Sequence, residues 1–267
     1  MEVFIVLAVI FLIYSIYQNK NVGLTFYRFA SVKVEKEKRI VHLSDIHNDL
    51  FGKDNIRLIE LIERVSPDYI FITGDLLDCR RTNVDRCYYL IERIIRIAPV
   101  FFVTGNHESR KALYPKFKAR LIELGVTVLD NRNVQIEEIN LVGIDDPEFK
   151  ARQSEIMRRK NVEEQLKEIE LKKFNVLLAH RPQYADVYSK YDFDLVLTGH
   201  AHGGQIRLPF IGGLFSPQQG ILPKYTSGKH KIKNTEMIIS RGIGNSKFPL
   251  RVFNNPEIVV VDMKKEY

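Results

Sequence analysis

The chain has 267 residues, of which 45% are hydrophobic and 27% charged, with a formal net charge of +7. That length holds one large α/β domain or two small ones, and the composition is ordinary for a globular protein, which excludes a fibrous or low-complexity chain. The positive balance suits anionic partners (phosphates, nucleic acid or acidic lipid) without choosing among them; the only cysteines, Cys79 and Cys87, give no disulfide framework and read as free thiols, which favours a reducing compartment.

The first predicted element is apolar on every side. "VFIVLAVIFLIYSIY", Val3 to Tyr17, carries no charge and one aliphatic hydroxyl, Ser15. As a helix these residues reach roughly 22 Å, short of a bilayer core of about 30 Å. A secretory signal wants a basic n-region and a small-x-small cleavage site, and neither is present. A core helix would show a polar side. Residues 1–19 are therefore expected to be an uncleaved, single-pass membrane anchor. Lys20, Arg28, Lys33 and Lys36 follow it and no Lys or Arg precedes it, a bias that favours a cytoplasmic catalytic domain.

Residues 20–37, running into "KVEKEKR", read as a juxtamembrane connector with room for an early strand, and residues 38–267 as one domain. "RIVHLS" is a β run, and an amphipathic helix near Asn55 to Val65 follows it. "DYIFITGD" is a second β run and "NVDRCYYLIERIIRI" a second helix. "VFFVTGNHE" is a third strand, and "SRKALYPKFKARLIELG" a third helix closed by Gly125. This βαβα order argues for a sheet that is parallel in its first half. Afterwards come short β runs at "VTVLD", "NVQIEEINLVGID", "FNVLLAH", "FDLVLTGH", "EMIISRG" and "EIVVVD". A charged amphipathic helix from Arg152 to Lys172 interrupts them. So many strands predict two packed sheets with helices outside.

Five histidines fall where a β run ends. "LSDIH" supplies Asp45 and His47, "ITGDLLD" supplies Asp75, and "VTGNHE" supplies Asn106 and His107. "LLAH" supplies His180, and "LTGHAH" supplies His200 and His202. Ligands gather at the carboxyl ends of strands in open α/β sheets. Imidazole with carboxylate and amide oxygens suits Mn, Fe or Zn better than Mg or Ca. Asp-x-His and His-x-His place two ligands on one side of an extended segment. Two metals about 3.5–4 Å apart can clamp a phosphoryl group, and Asp75 is the natural carboxylate to bridge them. Gly74, Gly105 and Gly199 let the backbone turn sharply there. Each block alone is more simply a turn, a cap or a core histidine; only the set in this order points to metal.

The blocks "DIH", "GDLLD", "GNHE", a later His and "GHAH" resemble the calcineurin-like metallophosphoesterase superfamily. "HRPQY", "GHAHGGQIRLPFIGGLFSP" and "SRGIGNSKFPLRVFNNPEI" are similar to its membrane-anchored bacterial branch, one group of which hydrolyses UDP-diacylglucosamine. The resemblance implies an α/β fold of two packed mixed β-sheets flanked by helices, a four-layer α/β/β/α arrangement. It implies one metal on Asp45, His47 and His202, a second on Asn106, His180 and His200, and Asp75 as the bridge. It implies that His107 contacts the phosphate and protonates the leaving group, with Asp78 and Glu108 orienting the ligands. The expected cofactors are two divalent ions, manganese ahead of iron or zinc.

Arg207 and Arg241 are candidates for holding a substrate phosphate. Arg80 is a weaker one, because Cys79 stands where the Ser/Thr phosphatases of the superfamily carry an arginine. The expected activity is hydrolysis of phosphodiester or pyrophosphate bonds in a phosphorylated small molecule or a lipid-linked or cell-envelope substrate. A phosphomonoesterase and a nuclease are the alternatives within the superfamily. A nuclease would want a basic groove and a further DNA-binding module, so nucleic acid is not the expected partner. A catalytically silent scaffold would have lost ligands, and none is missing. "LPFIGGLF", Leu208 to Phe215, either faces a bilayer or acyl chain or packs as a buried hairpin.

Overall fold

A computed structural model describes residues 1–150, 154–216, 218–245 and 250–266. The apolar N-terminal run is helix α1, Glu2–Lys20, and its large apolar side chains between Val3 and Ile13 are exposed. Next come strands β1, Gly23–Ser31, and β2, Lys38–Leu43. Helix α2, Ile56–Val65, buries Leu58, Ile59, Ile62 and Val65 at helical spacing. Strand β3, Tyr69–Thr73, is buried along its whole length, as a central parallel strand covered on both faces must be. Helix α3, Val84–Ile94, starts where the Asn83 side chain accepts the Arg86 backbone N–H.

Strand β4, Val100–Val103, leads into a single turn, α4, Asn106–Ser109, and then into α5, Tyr114–Glu123. The expected third helix is thus split, and its main part starts later, where Pro115 suits a first turn. Strands β5, Thr127–Val128, β6, Arg132–Ile136, and β7, Ile139–Gly143, follow. The single run read over "NVQIEEINLVGID" is a hairpin: Ile136 pairs with Ile139 across a two-residue turn in which Glu137 takes φ 48°. Helix α6 is Glu155–Lys167, capped by the Ser154 side chain. It ends earlier than the expected Lys172, and residues 151–153 lie outside the described ones. Strand β8, Asn175–Leu178, a short α7, Ala185–Tyr188, and β9, Leu195–Thr198, complete the middle of the chain. Two small hairpins come next, β10, Arg207–Leu208, with β11, Gly212–Gly213, and β12, Phe215–Ser216, with β13, Gly220–Ile221. Last are β14, Gly228–Ile232, β15, Thr235–Ile239, and β16, Glu257–Lys265.

Two six-stranded sheets result, ordered β1-β16-β2-β3-β4-β5 and β14-β15-β9-β8-β7-β6. Strands β2 to β5 are parallel, as the βαβα order predicts, while β16 runs antiparallel to β2 and parallel to β1. The second sheet is parallel from β7 through β8, β9 and β15, with antiparallel edges β6 and β14. Phe71, Phe101, Val103, Leu141, Val176, Leu195 and Val261 form the core between the sheets. A second core packs α2, α3 and α5 on the first sheet, and a third packs α6 and α7 on the other. The fold is therefore four layers, α/β/β/α, as expected. Part of the stretch read as a connector is strand: β1 pairs residue by residue with β16 from Gly23–Glu257 to Ser31–Lys265, and Phe29 reaches the core between the sheets.

Candidate metal centre

Five strands end at one edge, and the residue that follows each end is aimed into one buried cluster. Asp45 and His47 come two and four residues after β2, Asp75 two after β3, Asn106 three after β4, His180 two after β8, and His200 and His202 just after β9. All seven side chains are buried. The local backbone is bent hard to deliver them: Asp45, His47, Asp75, His200 and His202 all take positive φ, between 46° and 65°. For residues other than glycine this region costs roughly 1–3 kcal/mol each and is concentrated at functional sites. Gly105 and Gly199 make the approach feasible, because a Cβ on the first would be driven into Asp75 and on the second into Ser44 and Asp45.

The donor atoms fall into two groups that share one oxygen. In the first, His202 Nε2 lies 3.3 Å from Asp45 Oδ1 and 3.2 Å from His47 Nε2. In the second, His180 Nε2 lies 3.2 Å from Asn106 Oδ1 and 3.1 Å from His200 Nδ1. Asp75 Oδ2 stands between them, 3.8 Å from His47 Nε2 and 3.4 Å from His180 Nε2. Ligands bonded to a common ion at about 2.0–2.2 Å stand roughly 3.0–3.4 Å apart, so most of these separations are those of a coordination shell. The electrostatics agree. Burial works to raise Asp45 and Asp75, yet the His202 and His180 imidazoles hold both carboxyls well below the usual range. Burial also opposes charge on His180, but the adjoining Asp75 carboxylate outweighs it and raises that imidazole to about 10. Without an ion, Asp75 and His180 thus stand as a charged pair. Asp45 Oδ1 is buried with no hydrogen-bond partner, another mark of a site that suits divalent ions.

Neighbouring groups fix which nitrogen faces inward. His180 Nδ1 lies 2.7 Å from the Thr73 carbonyl and so donates to it, which makes Nε2 the nitrogen that would exchange its proton for an ion. His200 Nε2 lies 2.5 Å from Gln218 Oε1, which leaves Nδ1 facing His180. Glu108 accepts the backbone N–H of Asp75 and Gly105 on Oε2 and that of Leu77 on Oε1, so it braces the loop carrying Asp75. Burial, followed by the Asp75 charge, pushes its carboxyl up to about 7. Asp78 accepts from the Arg80 and Arg81 backbone N–H groups, and its Oδ1 lies 3.8 Å from His107 Nδ1. His107 itself accepts the Cys79 N–H on Nδ1 at 3.0 Å and holds Nε2 3.9 Å from Asp75 Oδ2. Burial depresses its basicity.

The two candidate phosphate arginines have their partners elsewhere. Arg207 donates to the Gly203 carbonyl and Thr226, and Arg241 pairs with Glu257 Oε2 at 2.7 Å. Arg80 sits with its Nε 3.5 Å from Asp78. The arginine that reaches the cluster is Arg251, which sequence reasoning passed over. It is fully buried, donates to the Gly242 and Gly244 carbonyls, and holds Nη2 3.4 Å from His202 Nδ1. An arginine within the apolar run "PLRVF" was the available signal, since a surface position needs no such neighbours. Gln218 and Asn254, whose amide donates to the His202 carbonyl at 2.8 Å, carried no signal.

A family model for calcineurin-like phosphoesterases matches residues 38–204. An uncharacterized metallophosphoesterase of Aquifex aeolicus is 30% identical over 257 residues, covering 90% of this chain and 92% of that one. The uncharacterized metallophosphoesterase YkuE of Bacillus subtilis is 29% identical, covering 85% and 79%. A Danio rerio transmembrane protein with a metallophosphoesterase domain is 28% identical, covering 85% of this chain and 53% of its own length. Among solved structures, TT1561 of Thermus thermophilus aligns over 78% of this chain and 91% of its own, with a TM-score of 0.51 at 11% identity, a likeness of fold.

Proposed function

The chain belongs to the calcineurin-like phosphoesterase family and is a metal-dependent phosphoester hydrolase, and we propose that it holds two divalent ions, manganese first among them, and cleaves phosphodiester or pyrophosphate bonds. Asp45, His47 and His202 would hold one ion, Asn106, His180 and His200 the other, and Asp75 would bridge. The observation that carries this reading is the single Asp75 oxygen shared by the two sets of donors. Such ions supply Lewis acidity towards phosphoryl oxygens and an activated water at neutral pH.

The rest falls to the chain's own groups. Because His107 Nδ1 accepts the Cys79 N–H, the neutral ring carries its proton on Nε2. Burial depresses the ring's basicity, and Nε2–H is a positioned donor for a phosphoryl oxygen that gains charge in the transition state. The same nitrogen is the one from which a proton would pass to the leaving group. Apart from Arg251, which bonds carbonyl oxygens and His202, four arginines around the centre are already paired with carboxylates, which supports a diester or pyrophosphate over a dianionic monoester. Arg80 and Arg81 face Asp78, Arg110 pairs with Glu148, and Arg181 pairs with Asp146 and Glu148. Each already has an anionic partner.

Helix α1 is the one described helix long and apolar enough to cross a membrane. It supports a single-pass anchor, with Lys20 and the basic residues after it favouring a cytoplasmic catalytic domain and with a lipid-linked or cell-envelope phosphate as the substrate class. The test is hydrolysis of bis-p-nitrophenyl phosphate against p-nitrophenyl phosphate by the full chain in detergent with Mn, with Asp75→Asn alongside. Diester turnover that is lost with chelator and in Asp75→Asn supports the proposal. Preference for the monoester would replace the diester reading, and no metal-dependent turnover of either would sink it.

A further inference from the structure

The face of the molecule just beyond His202 carries an apolar surface that neither the metal centre nor the core uses. Leu208, Phe210 and Ile211, on or between β10 and β11, line one open cleft together with Arg207 and Phe253. All four apolar side chains are exposed, Phe210 completely. On the next hairpin Phe215, Ile221 and Leu222 are exposed as well. Single exposed residues elsewhere, such as Ile56 or Ile122, are normal; a contiguous group is a contact surface.

Helix α1 is fastened to the same face. The Tyr14 ring lies 5.8 Å from that of Phe253. Ser15 Oγ donates to the Arg251 carbonyl at 3.1 Å, the Asn254 N–H donates to Gln18 Oε1 at 3.2 Å, and Lys20 Nζ donates to the Leu50 carbonyl. From Tyr14 onward, therefore, the helix is held by the domain. The part from Val3 to Ile13 that stands clear is roughly 16 Å long, against a hydrocarbon core of about 30 Å. That part reaches only about halfway through the core, and its apolar side chains are taken into lipid only if the face that grips it sits at the membrane boundary, which the exposed aromatic and aliphatic side chains let that face do favourably.

We propose that the β10–β11 and β12–β13 hairpins, with Phe253, insert into the bilayer interface, so that the catalytic domain is seated on the membrane rather than tethered above it. The occupant of this surface is lipid. The inference rests on the anchor reading above and extends it to the substrate: a phosphoester whose apolar part stays in the bilayer. An apolar cleft lined by Gly204, Gln205, Ile206, Leu214 and Phe215, starting two residues after His202, is placed to take that part.

The chain contains no tryptophan, so a single one reports its own surroundings. Phe210→Trp and, as a reference on α5, Ile122→Trp replace exposed side chains outside the metal centre. Each full-length variant is reconstituted into phosphatidylcholine–phosphatidylglycerol vesicles and recovered by flotation. The indole of Phe210→Trp should emit to the blue, lose most of its intensity to lipids brominated on the acyl chain, and resist acrylamide, while that of Ile122→Trp behaves as in water. If the two floated variants give matching emission and quenching, whether both are wet or both lie in lipid, the proposal is overturned, and so it is by a protein that does not float. Soluble-diester turnover is read on the same samples, so loss of the phosphoesterase reading and loss of this one are separable.

Discussion

Glu108 shows how much of the centre depends on a group that touches no ion. As a carboxylate it accepts on both oxygens, Oε2 from the Asp75 and Gly105 N–H groups and Oε1 from that of Leu77. Glutamine has the same shape but turns one oxygen into a donor, which must then face at least one N–H in a fully buried place. Glu108→Gln should therefore leave the fold intact by circular dichroism yet lower metal affinity by roughly 10- to 100-fold, read by titration of apo protein with Mn. Unchanged affinity would mean that the Asp75 loop is held by other contacts. The residue was legible in "GNHE" only through the resemblance, because an acid next to a histidine has no intrinsic reason to point inward. Arg251 and Gln218 were harder still. Their roles come from long-range packing: Arg251 meets His202 across 49 positions, and no local pattern encodes that.

Elements buried on faces their own sequence announces matched their expectations most closely, while helix ends, the β6–β7 turn and the extent of β1 did not. Parallel strands β2, β3 and β4 read directly from their apolar runs, and α2 and α3 from helical spacing, because each is buried on faces its own sequence announces. Strand β1 was expected only as room for an early strand within the connector. Its burial is mostly partial, and what makes it a strand is β16, more than 200 positions later. This has a practical consequence. A chain starting at Val34 deletes β1, removes Phe29 from the core between the sheets, and leaves the apolar run Ile258 to Val261 on a bare edge. Truncating a buried phenylalanine alone costs about 3–5 kcal/mol. A chain starting at Asn21 should unfold cooperatively in thermal melts, while one starting at Val34 should aggregate or melt without a clear transition. Equal melting of the two would show that β1 is dispensable.

At the scale of the whole molecule, the centre sits on the seam between the two sheets. Asp45, Asp75 and Asn106 follow strands of the first sheet, and His180, His200 and His202 follow strands of the second. Ions held by both sets would fasten the sheets together, and without ions two buried carboxylates and four imidazoles would face one another with only protons to balance them. Because the unfolded chain cannot assemble these donors, ion binding must stabilise the folded state. At free metal 100 times the dissociation constant the gain is about 2.7 kcal/mol. With a melting-temperature response of roughly 2–4 °C per kcal/mol for a domain of this size, chelation should lower Tm by about 5–10 °C, and restoring Mn should reverse it. The decisive control is Asp75→Asn, which removes the charge shared by the two groups. In that variant the chelator-dependent part of Tm should shrink sharply. A chelator shift of equal size in both proteins would place the stabilising ion somewhere other than the seam.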